Sequence, residues 1–100
     1  MNIENMPTVH LKQIYTVYIL FSMADKRLYV GCTSNIVQRL ERHNRGHVKA
    51  TARRRPLILI NQENYEIRAE AFDRERFLKT LWAGRFKKKL RAEYIKKLSI

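Results

Sequence analysis

One cysteine, two prolines and three glycines in 100 residues already remove several classes of protein. With Cys32 alone an intramolecular disulfide is impossible, and a zinc site built on cysteines lacks its ligands. No apolar run approaches the ~20 residues that a membrane helix needs. Residues 1–12 also lack the continuous apolar stretch of a signal peptide, so the expected location is the cytoplasm. Acidic residues are scarce: 9 Asp+Glu stand against 21 Lys+Arg, giving a formal charge of +12. What remains is a globular composition, 45% hydrophobic with five Tyr and four Phe to build a core. A chain of this length makes one small domain, expected over residues 13–98 behind a loose, polar lead-in at residues 1–12.

The charge names a partner class and no reaction. Polyanions bind such a chain through counterion release at phosphates, which suits DNA first and RNA second. An anionic membrane surface fits less well, because the basic residues are spread out and no amphipathic anchor precedes the globular part.

Hydrophobic periodicity predicts the order β-β-α-β-α-α, an α+β fold with a small, mostly antiparallel three-stranded sheet flanked by helices. Tyr15 to Phe21 is apolar on both sides apart from Thr16, the mark of a doubly buried strand. Ser22 to Arg27 turns the chain into a second strand, Leu28 to Thr33. Ser34 is a plausible N-cap for a helix over Ile36 to Asn44, whose Ile36, Arg39, Leu40 and His43 share one stripe. A basic connector, residues 45–56, leads through Pro56 into a third strand, Leu57 to Tyr65. A second helix is expected from Ile67 to about Leu81, with Ala69, Ala71, Phe72, Leu78 and Trp82 inward and Gly84 breaking it. A basic amphipathic helix, Arg85 to Leu98, follows with Phe86, Leu90, Tyr94 and Ile95 inward.

Glu75 stands out against that pattern. It falls in line with Ala71, Leu78 and Trp82, so a carboxylate points where apolar residues are expected. Burying it is costly unless a cation, a metal or several donors meet it. Pairing with a neighbouring Lys or Arg is the plain explanation; holding a metal near a phosphate is the functional one. Tyr18 and Tyr29 lie in the first two strands, and Gly31 suggests that something approaches the backbone closely there. Each tyrosine alone is explained by the preference of sheets for aromatics. Arg39 alone reads as a packing arginine, and His43 as a histidine offsetting the dipole at a helix end. As a set they offer a phenol pair, a guanidinium, an imidazole and a carboxylate. An arginine can neutralise charge on a phosphate, and one carboxylate with waters commonly holds Mg²⁺.

Thr16-Val17-Tyr18 followed by Tyr29-Val30-Gly31, then Thr33, Arg39, His43 and Asn44, resembles the GIY-YIG nuclease domain, in particular its small bacterial members. Arg54 to Leu57 and Ala71 to Glu75, through Lys79, fit the later blocks of the same pattern. The resemblance implies a divalent metal, Mg²⁺ or Mn²⁺, held by Glu75. It implies Tyr18 as base for the attacking water. Tyr29, Arg39 and His43 would line the phosphate site, and the outcome would be hydrolysis of DNA phosphodiester bonds. Gly31, Lys49, Arg53, Arg54, Arg55, Lys79, Lys87 and Lys88 are the expected nucleic-acid contacts. Two positions depart from the family pattern: Thr-Val-Tyr replaces Gly-Ile-Tyr, and no asparagine follows Asn64, where Lys87, Lys88 and Lys89 stand instead. The second departure keeps open a non-catalytic basic module on the same fold. A small ribosome-associated protein, with RNA affinity and no metal dependence, is a third reading.

Overall fold

Apolar side chains on both faces drive Tyr15–Ser22 to the centre of the sheet, where residues 17–22 are all buried. The computed structural model describes residues 12–99, so the expected lead-in lies outside the described residues except for Lys12. It contains β1 (Tyr15–Ser22), β2 (Leu28–Thr33), α1 (Ile36–Asn44), β3 (Leu57–Tyr65), α2 (Arg68–Leu78) and α3 (Gly84–Leu98). The strand order is β2-β1-β3 and both pairings are antiparallel. This is the expected α+β arrangement in the expected order.

Alternation along β1 divides the core in two. Val17 and Ile19 join Val30, and this face is covered by Ala71 and Leu78 of α2 and by Ala83. Tyr18 and Leu20 point the other way, with Leu57, Tyr29, Ile36 and Leu40 around them. The sheet therefore separates an α1 layer from an α2 layer. On the same face as α2, α3 packs Leu90 against the Val17 and Ile19 cluster and is fastened by Tyr94 against Phe21, ring centroids 4.9 Å apart. Arg91 Nε also donates to the Lys26 carbonyl.

Three local expectations are corrected. The N-cap of α1 is Asn35 rather than Ser34, because Asn35 Oδ1 accepts from the Gln38 amide at 3.0 Å. Thr33 Oγ1 in turn holds the Asn35 amide at 3.1 Å. The second helix ends at Leu78, not Leu81, and Gly84 opens α3 instead of breaking a helix. Thr80 Oγ1 donates to the Phe77 carbonyl at 2.6 Å, and a 3-10 turn at Leu81–Ala83 follows.

That early stop moves Trp82 out of the core. Helical spacing would place it inward four residues after Leu78, but the change of direction puts Ala83 into the core instead. Trp82 is 87% exposed and Leu81 98% exposed. Phe72 and Phe86 are likewise only half covered. Leu78→Ala should therefore cost about 2–5 kcal/mol of folding stability. Trp82→Ala should stay within about 0.5 kcal/mol of the parent protein, as measured by urea unfolding. Equal losses would mean that Trp82 packs after all.

Candidate active site

The register of β1 against β2 sets Tyr18 opposite Gly31, with Tyr29 two residues along the same face. The Tyr18 phenol lies directly over Gly31: a Cβ there would clash with the hydroxyl and Cζ of Tyr18, at 2.3 and 2.4 Å. What approaches Gly31 is thus the protein's own tyrosine, and Gly31 is itself buried. Gly31→Ala should displace Tyr18 and destabilise the fold by about 1–3 kcal/mol, the usual cost of overpacking. Unfolding curves at neutral pH measure this, and an unchanged midpoint would show that the phenol moves aside freely.

Helix α1 packs on this face with the predicted stripe inward, and His43 is completely buried. Its Nε2 lies 2.9 Å from Tyr18 Oη and its Nδ1 lies 2.7 Å from Thr51 Oγ1. The ring stands edge-on to both tyrosines, at 5.7 Å from Tyr18 and 5.1 Å from Tyr29 between centroids. Burial pushes His43 down to about 4, and the charges of Arg39 and Arg42 push it in the same direction. The imidazole is therefore neutral at physiological pH. This corrects the reading of His43 as a cation offsetting a helix dipole: the last-turn position is right, but the ring points into the core.

Tyr18 moves the opposite way. Burial holds its phenol well above the usual range, Tyr29 adds to the rise, Arg39 opposes it and Glu75 adds again. Arg39 and Glu75 are thus both close enough to be felt at one hydroxyl, although they arrive from opposite layers of the fold. Cys32 feels both charges too, and burial is the main cause of its raised thiol pKa.

Glu75 is half-buried, 18% exposed at its side chain, and Lys79 Nζ sits 3.0 Å from its Oε2. The plain pairing weighed from sequence is therefore present. Among the described residues no group of three His, Cys, Asp or Glu converges as a cage for a metal ion. Among the described residues the carboxylate felt at Tyr18 is that of Glu75. It suits a hard cation that keeps most of its waters, such as Mg²⁺ or Mn²⁺, and does not suit a tightly caged transition metal. Such an ion would compete with Lys79, which is half-exposed.

The expected nucleic-acid contacts separate into several groups. Lys49 and Arg53 are exposed and border one shallow cleft; Lys87 and Lys88 border another with Arg27 and Arg91. Arg54 is engaged within the protein: its Nε meets Asp25 Oδ2 at 2.7 Å and its Nη2 donates to the Leu28 carbonyl. That guanidinium lowers the Asp25 carboxyl to about 2. Arg55 Nε donates to the Ala52 carbonyl at 2.7 Å. The three arginines look alike in sequence, yet Arg53 and Arg55 are exposed, Arg55 bonding back to its own connector, while Arg54 is half-buried and tied by Asp25 to the hairpin.

Two residues missed by sequence reasoning support the site. Thr51 is buried and orients the His43 ring from a basic connector that reads as solvated. No local pattern announces it. Arg68, the first residue of α2, shares a cleft with Arg39. Asn44, already part of the sequence resemblance, clamps β3: its Oδ1 accepts from Leu57 N at 2.7 Å and its Nδ2 donates to Leu57 O at 2.9 Å. Among the described residues no buried side-chain polar atom is left without a partner.

UPF0213 proteins of Staphylococcus aureus strains COL and Mu50 are each 45% identical to this chain over 65 residues, covering 64% of this chain and 78% of theirs. No solved structure gives a significant match. No helix among the described residues is long and apolar enough to cross a membrane. Residues 14–91 match the GIY-YIG catalytic domain, and the chain belongs to that family.

Proposed function

We propose that this protein is a divalent-metal-dependent DNA endonuclease with weak sequence preference. The observation that carries the reading is the hydrogen-bonded pair of Tyr18 and neutral His43, within electrostatic reach of Arg39 and Glu75.

The chemistry follows from those groups. A buried, protonated phenol cannot serve as a base unless it passes its own proton on. Neutral His43 provides the acceptor: as Tyr18 Oη takes a proton from the attacking water, its original proton moves to Nε2. In that tautomer Nδ1–H donates to Thr51, which keeps the ring in line. The charge of Arg39 suppresses protonation of His43, and a phosphate bound to Arg39 would relieve that suppression. Substrate binding thus primes the relay. Arg39 stabilises the negative charge gathering on the phosphate oxygens, and Tyr29 closes the wall beside Tyr18. Glu75 would hold the divalent cation, which supplies Lewis-acid stabilisation of the same charge. A small domain leaves little surface for reading base edges, hence the weak sequence preference.

The test is cleavage of labelled duplex, single-stranded, flap and branched DNA, and of RNA, with Mg²⁺, with Mn²⁺ or with EDTA. Metal-dependent cutting is expected, falling roughly 10²–10³-fold in Arg39→Ala. Binding without cutting on every substrate would overturn the proposal.

The Glu75–Lys79 ion pair favours a second reading, a basic binding module in which the carboxylate is simply neutralised. That module would lose affinity as salt rises and would be indifferent to metal.

A further inference from the structure

At the edge strand β2, Arg39 of α1 and Arg68 and Phe72 of α2 line a common cleft of about 500 Å³. Arg39 borders it from α1 and Arg68 from α2, with Tyr15, Phe72, Thr33 and Ser34 between them. Its size falls in the range of small-ligand sites, roughly 300–1,000 Å³.

Two guanidiniums here face one space, and among the described residues no carboxylate borders it. Among the described residues neither Arg39 nor Arg68 has an acidic partner. Arginines that brace this fold behave differently: Arg54 pairs with Asp25, and Arg74 with Glu63 at 2.8 Å. Like charges sharing a cleft repel each other and focus positive potential into it, and an entering anion relieves both effects. Arg68 is also held in place without an acid, its guanidinium lying 5.0 Å from the centroid of Phe72. The fork is therefore steadied on an aromatic face while its hydrogen-bonding edges stay available. Phe72 and Tyr15 supply apolar ring surface beside the two cations, the combination that takes a base together with its phosphates.

We infer that this cleft is a subsite for the nucleotide next to the scissile phosphate. Arg39 takes the scissile phosphate, Arg68 takes the neighbouring one, and the nucleoside between them lies against Phe72 and Tyr15. The assignment rests on the nuclease reading for the identity of the scissile phosphate, while the cleft's affinity for a nucleotide carrying two phosphates does not depend on cleavage.

Thymidine 3′,5′-bisphosphate is the probe, titrated calorimetrically into the whole chain in EDTA beside thymidine 5′-monophosphate and inorganic phosphate. The bisphosphate should bind about tenfold more tightly than the monophosphate, because it engages both arginines. Arg68→Ala should abolish that difference. Phe72→Leu, which keeps an apolar side chain but removes the ring, should weaken both nucleotides by a larger factor than inorganic phosphate. Circular dichroism on both variants establishes that they are folded. Equal affinity for the two nucleotides, or a bisphosphate preference that survives in folded Arg68→Ala, would overturn the subsite. On a cleaved oligonucleotide, Arg68→Ala should raise KM about tenfold with kcat little changed, whereas Arg39→Ala lowers kcat. Failure of the nuclease reading would remove the second experiment and leave the first intact, so the two ideas fail separately.

Discussion

Glu75→Gln should abolish metal-dependent cleavage, lowering kcat by roughly a thousandfold or more, while the protein remains folded and still binds DNA. The size follows from removing Glu75, the carboxylate felt at Tyr18 among the described residues, which would hold a divalent ion whose stabilisation of phosphate charge is worth several kcal/mol. The fold should tolerate the change. The lost interaction is an ion pair with half-exposed Lys79, and such pairs contribute about 0–1 kcal/mol. Affinity for DNA in EDTA should be equal or slightly higher, because a negative charge has been removed from a basic surface. Cleavage rates and binding titrations on one preparation separate the two effects. If Glu75→Gln cuts as fast as the parent protein, the carboxylate is a structural partner of Lys79 and the metal is held elsewhere or not at all.

Acidification should unfold this protein earlier than its charge alone suggests, and His43 should account for most of the change between pH 7 and pH 5. In the folded chain His43 is held at about 4, against an ordinary value of 6.5. Between those values the unfolded chain binds the proton and the folded chain does not. Stability is therefore fully present above about pH 6.5 and falls as the pH drops toward 4. The shift corresponds to about 3 kcal/mol in total, of which about 2 should be lost by pH 5. Asp25 acts lower: its carboxyl is held at about 2 by Arg54, so its contribution is present above pH 3.8 and is lost only below that. Urea unfolding at pH 7 and pH 5 measures the difference directly. Replacing His43 with asparagine should lower stability at pH 7 and flatten the dependence between the two pH values. A parent protein equally stable at both would show that the imidazole is protonated in the fold and that the Tyr18 relay lacks its acceptor.

Local pattern carried most of the architecture. Three strands and three helices stand in the expected order because each has a period that its own residues display: two in the strands, 3.6 in the helices. The stripe Ile36, Arg39, Leu40 and His43 faces inward for the same reason. Gly31 was legible as a close approach, since a strand gives up a side chain only where something occupies its place. The gathering of Tyr18, Tyr29 and His43 followed from register and helix face together.

Tertiary structure decided the properties that depend on distant neighbours. Trp82 is exposed because a hydroxyl on Thr80 and an alanine at 83 turn the chain out of helical phase, which no periodic count registers. His43 is neutral because packing removes water from it and two arginines lie near it; a sequence records only that histidine ends a helix. Arg53, Arg54 and Arg55 are identical letters in a row. Asp25, 29 residues before Arg54, determines that Arg54 braces the hairpin rather than meeting solvent. Sequence by itself determined which elements form and which chemical groups are available, since both depend on residues close in the chain. Burial, charge state and partner choice come from long-range contacts, and these decided which groups can exchange a proton and which can meet a phosphate.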